Sequence, residues 1–164
     1  MIRNPNEGER CVLGGAIGGI AGGLALTVFA LAHALIEGAD AWPVLKTAAL
    51  PLYGTHVFAP GFELFPVLIG ISNHFAIAML WGAVFGVFAY GLPRVATLAA
   101  AFAWGLVVWF GMHFVVLRLM GWGEVTASMP IGLALFEHLL FGLAMGIGFL
   151  PFQRPYAVSE AAPA

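Results

Sequence analysis

Histidine is the side chain on which any chemistry in this sequence would turn. Of five histidines, His33, His74, His113 and His138 fall one each inside four long apolar stretches. A titratable ring at membrane depth is costly unless it faces a bundle interior or a wet cavity, which makes each of the four a candidate functional residue. Neutral imidazole ligates haem iron, zinc and copper. Two rings facing each other across a bundle would clamp a haem b or bind a transition metal. His74 and His138 are the preferred ligands, His113 the substitute for either, and His33 the fourth candidate. Against ligation, no two histidines share a helix at i, i+4, and the usual transition-metal spacings are absent. The same rings would otherwise relay protons or hold a small polar solute, with Glu137 as the carboxylate and Arg118 or His113 as its partner. Asn73, beside His74, joins this polar layer. The plainest alternative is that these groups satisfy one another and only fix helix register.

The stretches that carry the histidines set the fold class. Hydrophobic residues make up 62% of the 164 positions and charged ones 9%, against roughly 25% charged in soluble domains. Apolar runs cover 12–36, 67–90, 95–119 and 131–150, each near the roughly 20 residues that cross a bilayer as a helix. An all-α membrane protein is expected, one domain over 1–164 with four transmembrane helices in an up-down bundle. The first run is too long for the core of a secretion signal and is read as an anchor. A short Gly-Leu-Pro-Arg turn at 91–94 makes the second and third helices antiparallel neighbours. The loop 37–66 is cut by Pro43, Pro51, Pro60 and Pro66 into pieces too short to span a membrane. Its apolar side chains suit an interfacial cover over the bundle mouth, either a packed loop or a lid carrying His56 and Glu63. The ends, 1–9 and the tail 153–164, are expected to be disordered.

Glycines at four-residue spacing mark where the helices approach. Gly14, Gly18 and Gly22 form one row on the first helix and Gly15, Gly19 and Gly23 the next, with Gly82 and Gly86 on the second helix and Gly142 and Gly146 on the fourth. Such rows let backbones come close, which matters in lipid, where burying apolar surface gives helices little drive to associate. They serve packing within the chain or, through an exposed stripe, a homodimer. His74 heads the row Ala78, Gly82, Gly86, and His138 heads Gly142, Gly146, so both rings point inward. His33 returns close to the glycine face of its helix, and His113 shares a row with Ala101, Gly105 and Trp109. By position along their spans all four lie in the same, outer half of the bilayer. The likeness of Asn73-His74-Phe75 to Glu137-His138-Leu139 is either a duplicated hairpin or overlap in a chain rich in Gly and Ala.

A net charge of −2 and scattered Lys and Arg exclude nucleic acid as a partner. The expected partners are the lipid bilayer, other membrane subunits or a second copy. Cys11, the only cysteine, excludes an internal disulfide and a Cys-x-x-Cys site. There is no Gly-x-Ser-x-Gly, no His-Glu-x-x-His and no phosphate-cradling loop, so an enzyme is not expected. Arg3, Arg10, Arg94 and Arg154 fall on one side and Lys46 and Arg118 on the other. The positive-inside rule then puts both termini in the cytoplasm. Trp42 and Trp122 on one side, with Tyr90 and Tyr156 on the other, suit the interfacial aromatic belts.

The segments Asn73-His74-Phe75 with Trp81-Gly82, Met112-His113-Phe114 with Leu119-Met120-Gly121, and Glu137-His138-Leu139-Leu140-Phe141-Gly142 resemble the uncharacterised bacterial inner-membrane proteins related to YagU. The likeness lies mainly in 67–150, and the loop after the first helix has no counterpart in it. It implies a four-helix architecture, the bacterial inner membrane and recurrent intramembrane histidines, and nothing about a substrate. Together these readings describe a small inner-membrane protein with a His/Glu polar layer in its outer half. It would act as a cofactor-binding or proton-handling module, or as an accessory subunit of a larger complex whose histidines only fix packing.

Overall fold

Lipid offers the backbone no hydrogen bonds, so each apolar stretch must close its own as a helix. The computed structural model describes residues 5–153, with no strand among them. The helices are α1 (Pro5–Ile36), α2 (Trp42–Lys46), α3 (Leu50–Tyr53), α4 (Leu64–Ala89), α5 (Arg94–Leu119), α6 (Gly123–Ser128) and α7 (Ile131–Phe149). Of these, α1, α4, α5 and α7 are long and apolar enough to cross a membrane, and they form an all-α bundle. Thus α1 starts at Pro5, well before the apolar run begins at 12, and the residues from 5 to 9 are helical where disorder is expected. Proline suits a first helical position because its missing N–H has no partner there anyway. Hydropathy reports the length of chain in lipid; the helix itself runs on into water.

Glycine contacts set the order of the bundle. A Cβ at Gly15 would meet the Gly82 carbonyl and one at Gly19 the Ala78 carbonyl, while Gly82 and Gly86 lie against the carbonyls of Gly15 and Cys11. The adjacent row, Gly14, Gly18 and Gly22, lies against Phe152, the Met145 carbonyl and Phe141. One face of α1 therefore packs on α4 and the next on α7, which places α1 at the centre. On its other side α7 takes α5, with Gly142 against the Ala101 carbonyl and Gly105 against the His138 carbonyl. The short turn leaves α4 and α5 consecutive, yet they touch only lightly. Their facing surfaces carry Trp81, Phe85, Phe88 and Trp104, with Trp81 and Trp104 ring centroids 6.0 Å apart. Indoles and phenyls hold two backbones apart where glycines would let them meet.

Gln153 closes the end of the bundle that holds this turn. Its Nε2 donates to the Ala89 carbonyl at 2.9 Å and to Thr97 Oγ1 at 2.6 Å, and its Oε1 accepts from the Gly91 N–H at 2.9 Å. The expected disordered tail therefore does not begin at 153; the remainder of it, 154–164, lies outside the described residues, as do Arg3, Arg154 and Tyr156.

If backbone approach at glycine holds the bundle, Gly19→Leu should destabilise the protein by roughly 1–3 kcal/mol, several degrees in Tm, through overpacking. Gly132→Ala, where an added Cβ meets nothing within 4 Å, should leave Tm unchanged or raise it slightly. Thermal melts in one detergent compare the two, and equal losses would contradict the assignment.

Candidate functional site

The helix α5 does not run regularly to its end. Over Gly111–Val116 it widens into a π turn, which accommodates one extra residue and swings the side chains beyond it by about 100° relative to an uninterrupted α-helix. His113 sits in this turn, its residue only 7% exposed. Both of its ring nitrogens, and the indole Nε1 of Trp109 one turn earlier, are buried without a hydrogen-bond partner. The Trp109 carbonyl lies near the His113 ring but outside hydrogen-bonding geometry. Across the α5–α7 interface stands His138, its ring centroid 5.8 Å from that of His113 and its plane turned by 80°. The Nδ1 of His138 is 2.7 Å from the Ala134 carbonyl. A carbonyl can only accept, so Nδ1 carries the hydrogen and Nε2 of the neutral ring keeps a free lone pair.

The remaining polar residues fall into separate places. His74 Nε2 donates to the Gly23 carbonyl at 3.0 Å and lies 3.1 Å from Thr27 Oγ1, which itself donates to the same carbonyl. His74 thereby ties α4 to α1, and the pair in ring contact is His113 with His138 rather than His74 with His138. Glu137 lies within electrostatic reach of His33 across the α1–α7 interface. Asn73 of α4 donates to the Ala48 carbonyl at 3.2 Å and so ties its helix to the 37–63 loop. Arg118 is exposed, its guanidinium 5.7 Å from the centre of the Phe114 ring, and it makes no contact with Glu137. Thr27, Ala134 and Trp109 complete these groups without a motif to announce them. Only their spacing of four from Gly23, His138 and His113 points to them.

A porphyrin between His113 and His138 would have to part backbones that meet at Gly105 and the His138 carbonyl. The pair therefore does not fit a haem. Among the described residues no group of three or more His, Cys, Asp or Glu is placed to hold a metal ion, so the four-ligand set of a structural zinc is not assembled there.

The loop 37–63 has its own polar centre. Lys46, with no exposed side-chain surface, donates from Nζ to the carbonyls of Ala59 at 2.6 Å and Gly61 at 3.1 Å and to Glu63 Oε1 at 2.8 Å. The other oxygen of Glu63 is 2.8 Å from Nε2 of the exposed His56. Asp40 accepts from the backbone N–H groups of Gly61 and Trp42. The bond from Lys46, and after it that from His56, holds the Glu63 carboxyl below its usual range, and the two N–H donors do the same for Asp40. Around this clasp Ala49, Leu50 and Val57 pack against Ile69 of α4 and against Leu117, Trp122 and Val125. The loop thus bridges α4 to the C-terminal end of α5, the two helices that scarcely touch elsewhere.

The sequence model of a family of unknown function, DUF6789, matches residues 10–157. It gives no link to the YagU-related proteins. No curated protein and no solved structure matches the chain.

Because a depressed carboxylate stabilises only while ionised, the clasp should be complete above the ordinary carboxylate value, 4.5 for Glu63, and lost as the pH falls below it. Hydrogen exchange over 54–63, corrected for intrinsic rates, should stay slow at neutral pH and quicken in acid. In Lys46→Met it should be fast at both, and exchange like the wild type would disprove the clasp.

Proposed function

We propose that this chain, which belongs to the DUF6789 family, is an integral membrane protein that holds a cation, a proton or a metal ion, on the His113–His138 pair. The observation that supports this reading is the pair of buried, unpartnered nitrogens on His113. Leaving a buried polar group unpaired costs about 1–3 kcal/mol. An apolar side chain of similar size would fill the same position without that penalty. His74 differs, because its hydrogen bonds to α1 repay its burial, and Glu137 lies within electrostatic reach of His33. Register-fixing therefore describes those residues and leaves His113 unaccounted for. What two neutral imidazoles offer is lone pairs, and lone pairs bind cations.

Further observations support a location for the site. Arg10 and Arg94 lie at one end of the bundle and Arg118 at the other, while Lys46, the remaining basic residue of the outer side, is buried and ion-paired. That strengthens the bias for cytoplasmic termini. Together with the resemblance to YagU-related proteins, it supports residence in the bacterial inner membrane with the histidine pair in the periplasmic half. The glycine rows support packing within the chain rather than a homodimer, since each faces a helix of the same molecule.

His113→Leu should then raise the Tm of metal-free protein by several degrees, the return of roughly 1–3 kcal/mol of unsatisfied polarity. His74→Leu should lower Tm, because the Gly23 carbonyl and Thr27 lose their partner. If His113→Leu destabilises as much as His74→Leu, the pair is a packing element and the proposal fails.

A further inference from the structure

Resting on the cation-site reading, we infer that the His113–His138 pair is a two-coordinate site for copper(I). Ligand count leads to this ion first. Two imidazoles are in ring contact, and among the described residues no third His, Cys, Asp or Glu joins them. Zinc favours four ligands, and calcium and magnesium favour six or more oxygens. Among the metals that imidazole suits, copper(I), with a filled d shell and a single charge, is stable between two ligands in a line.

Charge selects the same ion. Two neutral rings do nothing to cancel the charge of what they bind, and the desolvation cost of an ion in a low-dielectric interior rises with the square of its charge. A divalent ion would therefore carry about four times the penalty of a monovalent one. Copper(I) needs no carboxylate or thiolate to enter such a site.

The geometry agrees. A metal–nitrogen bond of about 2 Å places the two ligating nitrogens about 4 Å apart and the ring centroids near 6 Å. The observed centroid separation is 5.8 Å, with the ring planes turned by 80°. The bond from Nδ1 of His138 to the Ala134 carbonyl is the outer contact that a ligating imidazole uses to fix its tautomer and raise its basicity. His113 lies in a π turn, where a helix has the slack to adjust a side chain to its ligand.

The test uses tag-free, full-length protein in detergent under anaerobic, reducing conditions, with Cu(I) supplied in competition with bicinchoninate. One equivalent per chain is expected, with an absorption edge and extended fine structure showing two nitrogen ligands and no sulfur. His113→Ala and His138→Ala should each weaken binding by about tenfold to a hundredfold or more. His74→Ala and Cys11→Ser should bind like the wild type. Binding that survives in the His113→Ala, His138→Ala double variant, or no competition by the wild type, overturns the copper assignment. In the second case a rise in Tm for metal-free His113→Leu keeps the cation-site reading without copper. A fall in that Tm removes both.

Discussion

Close approach of backbones at glycine is the constraint on which the rest of this structure depends. In a bilayer, helices gain little from hiding apolar surface from one another, so attraction must come from contacts short enough for dispersion to accumulate. Only α1 carries two adjacent glycine rows, one packed on α4 and the other on α7, which in turn takes α5 on its other side. Gly105 and Gly142 then bind α5 to α7. The light contact between α4 and α5 follows from the same rule, because their facing surfaces hold four large aromatic residues and no glycine row. The outer loop bridges that weak side with packing around Val57 and Leu50, and buried Lys46 fixes the loop's own shape.

How much of this the sequence reveals depends on what kind of signal each feature leaves. Spans are legible because their hydropathy is continuous over many residues, and glycine rows because period four on a helix is one face. The partner of a row is not legible: nothing local says that Gly15 meets Gly82 while Gly18 meets Met145. The start of α1 at Pro5 is hidden for a different reason, since polar residues that leave the membrane can remain helical. Lys46 stands in the sequence as an interfacial charge, yet three acceptors, two of them carbonyls of a loop folded back on it, let it be fully buried. Carbonyl acceptors leave no trace in residue type.

The histidines show the limit most clearly. Face and depth can be read from spacing, and on that basis His33, His74, His113 and His138 look alike. What separates them is the local partner. His74 finds Thr27 and a carbonyl, His138 finds Ala134, and His113 finds no hydrogen-bond partner. Burial makes that difference energetic, because an unpaired buried group carries its desolvation cost. The histidines thus divide: His74 ties α4 to α1, His138 bonds within its own helix, and His113 is left without a hydrogen-bond partner.

The π turn gives this division a mechanical origin. The helix α5 is held at two places: at Gly105, by the carbonyl of His138, and at Leu117, by the loop residues that pack beside Trp122. Between them Gly111 meets the Trp81 ring of α4. Contacts set independently by α7, the loop and α4 need not be separated by a whole number of turns at 3.6 residues each. A helix fixed at both ends takes up such a mismatch as one wider turn, and it does so at Gly111–Val116. His113 is thereby carried in the widened turn of α5. The glycine contact that seats α5 on α7 also brings His138 to meet it.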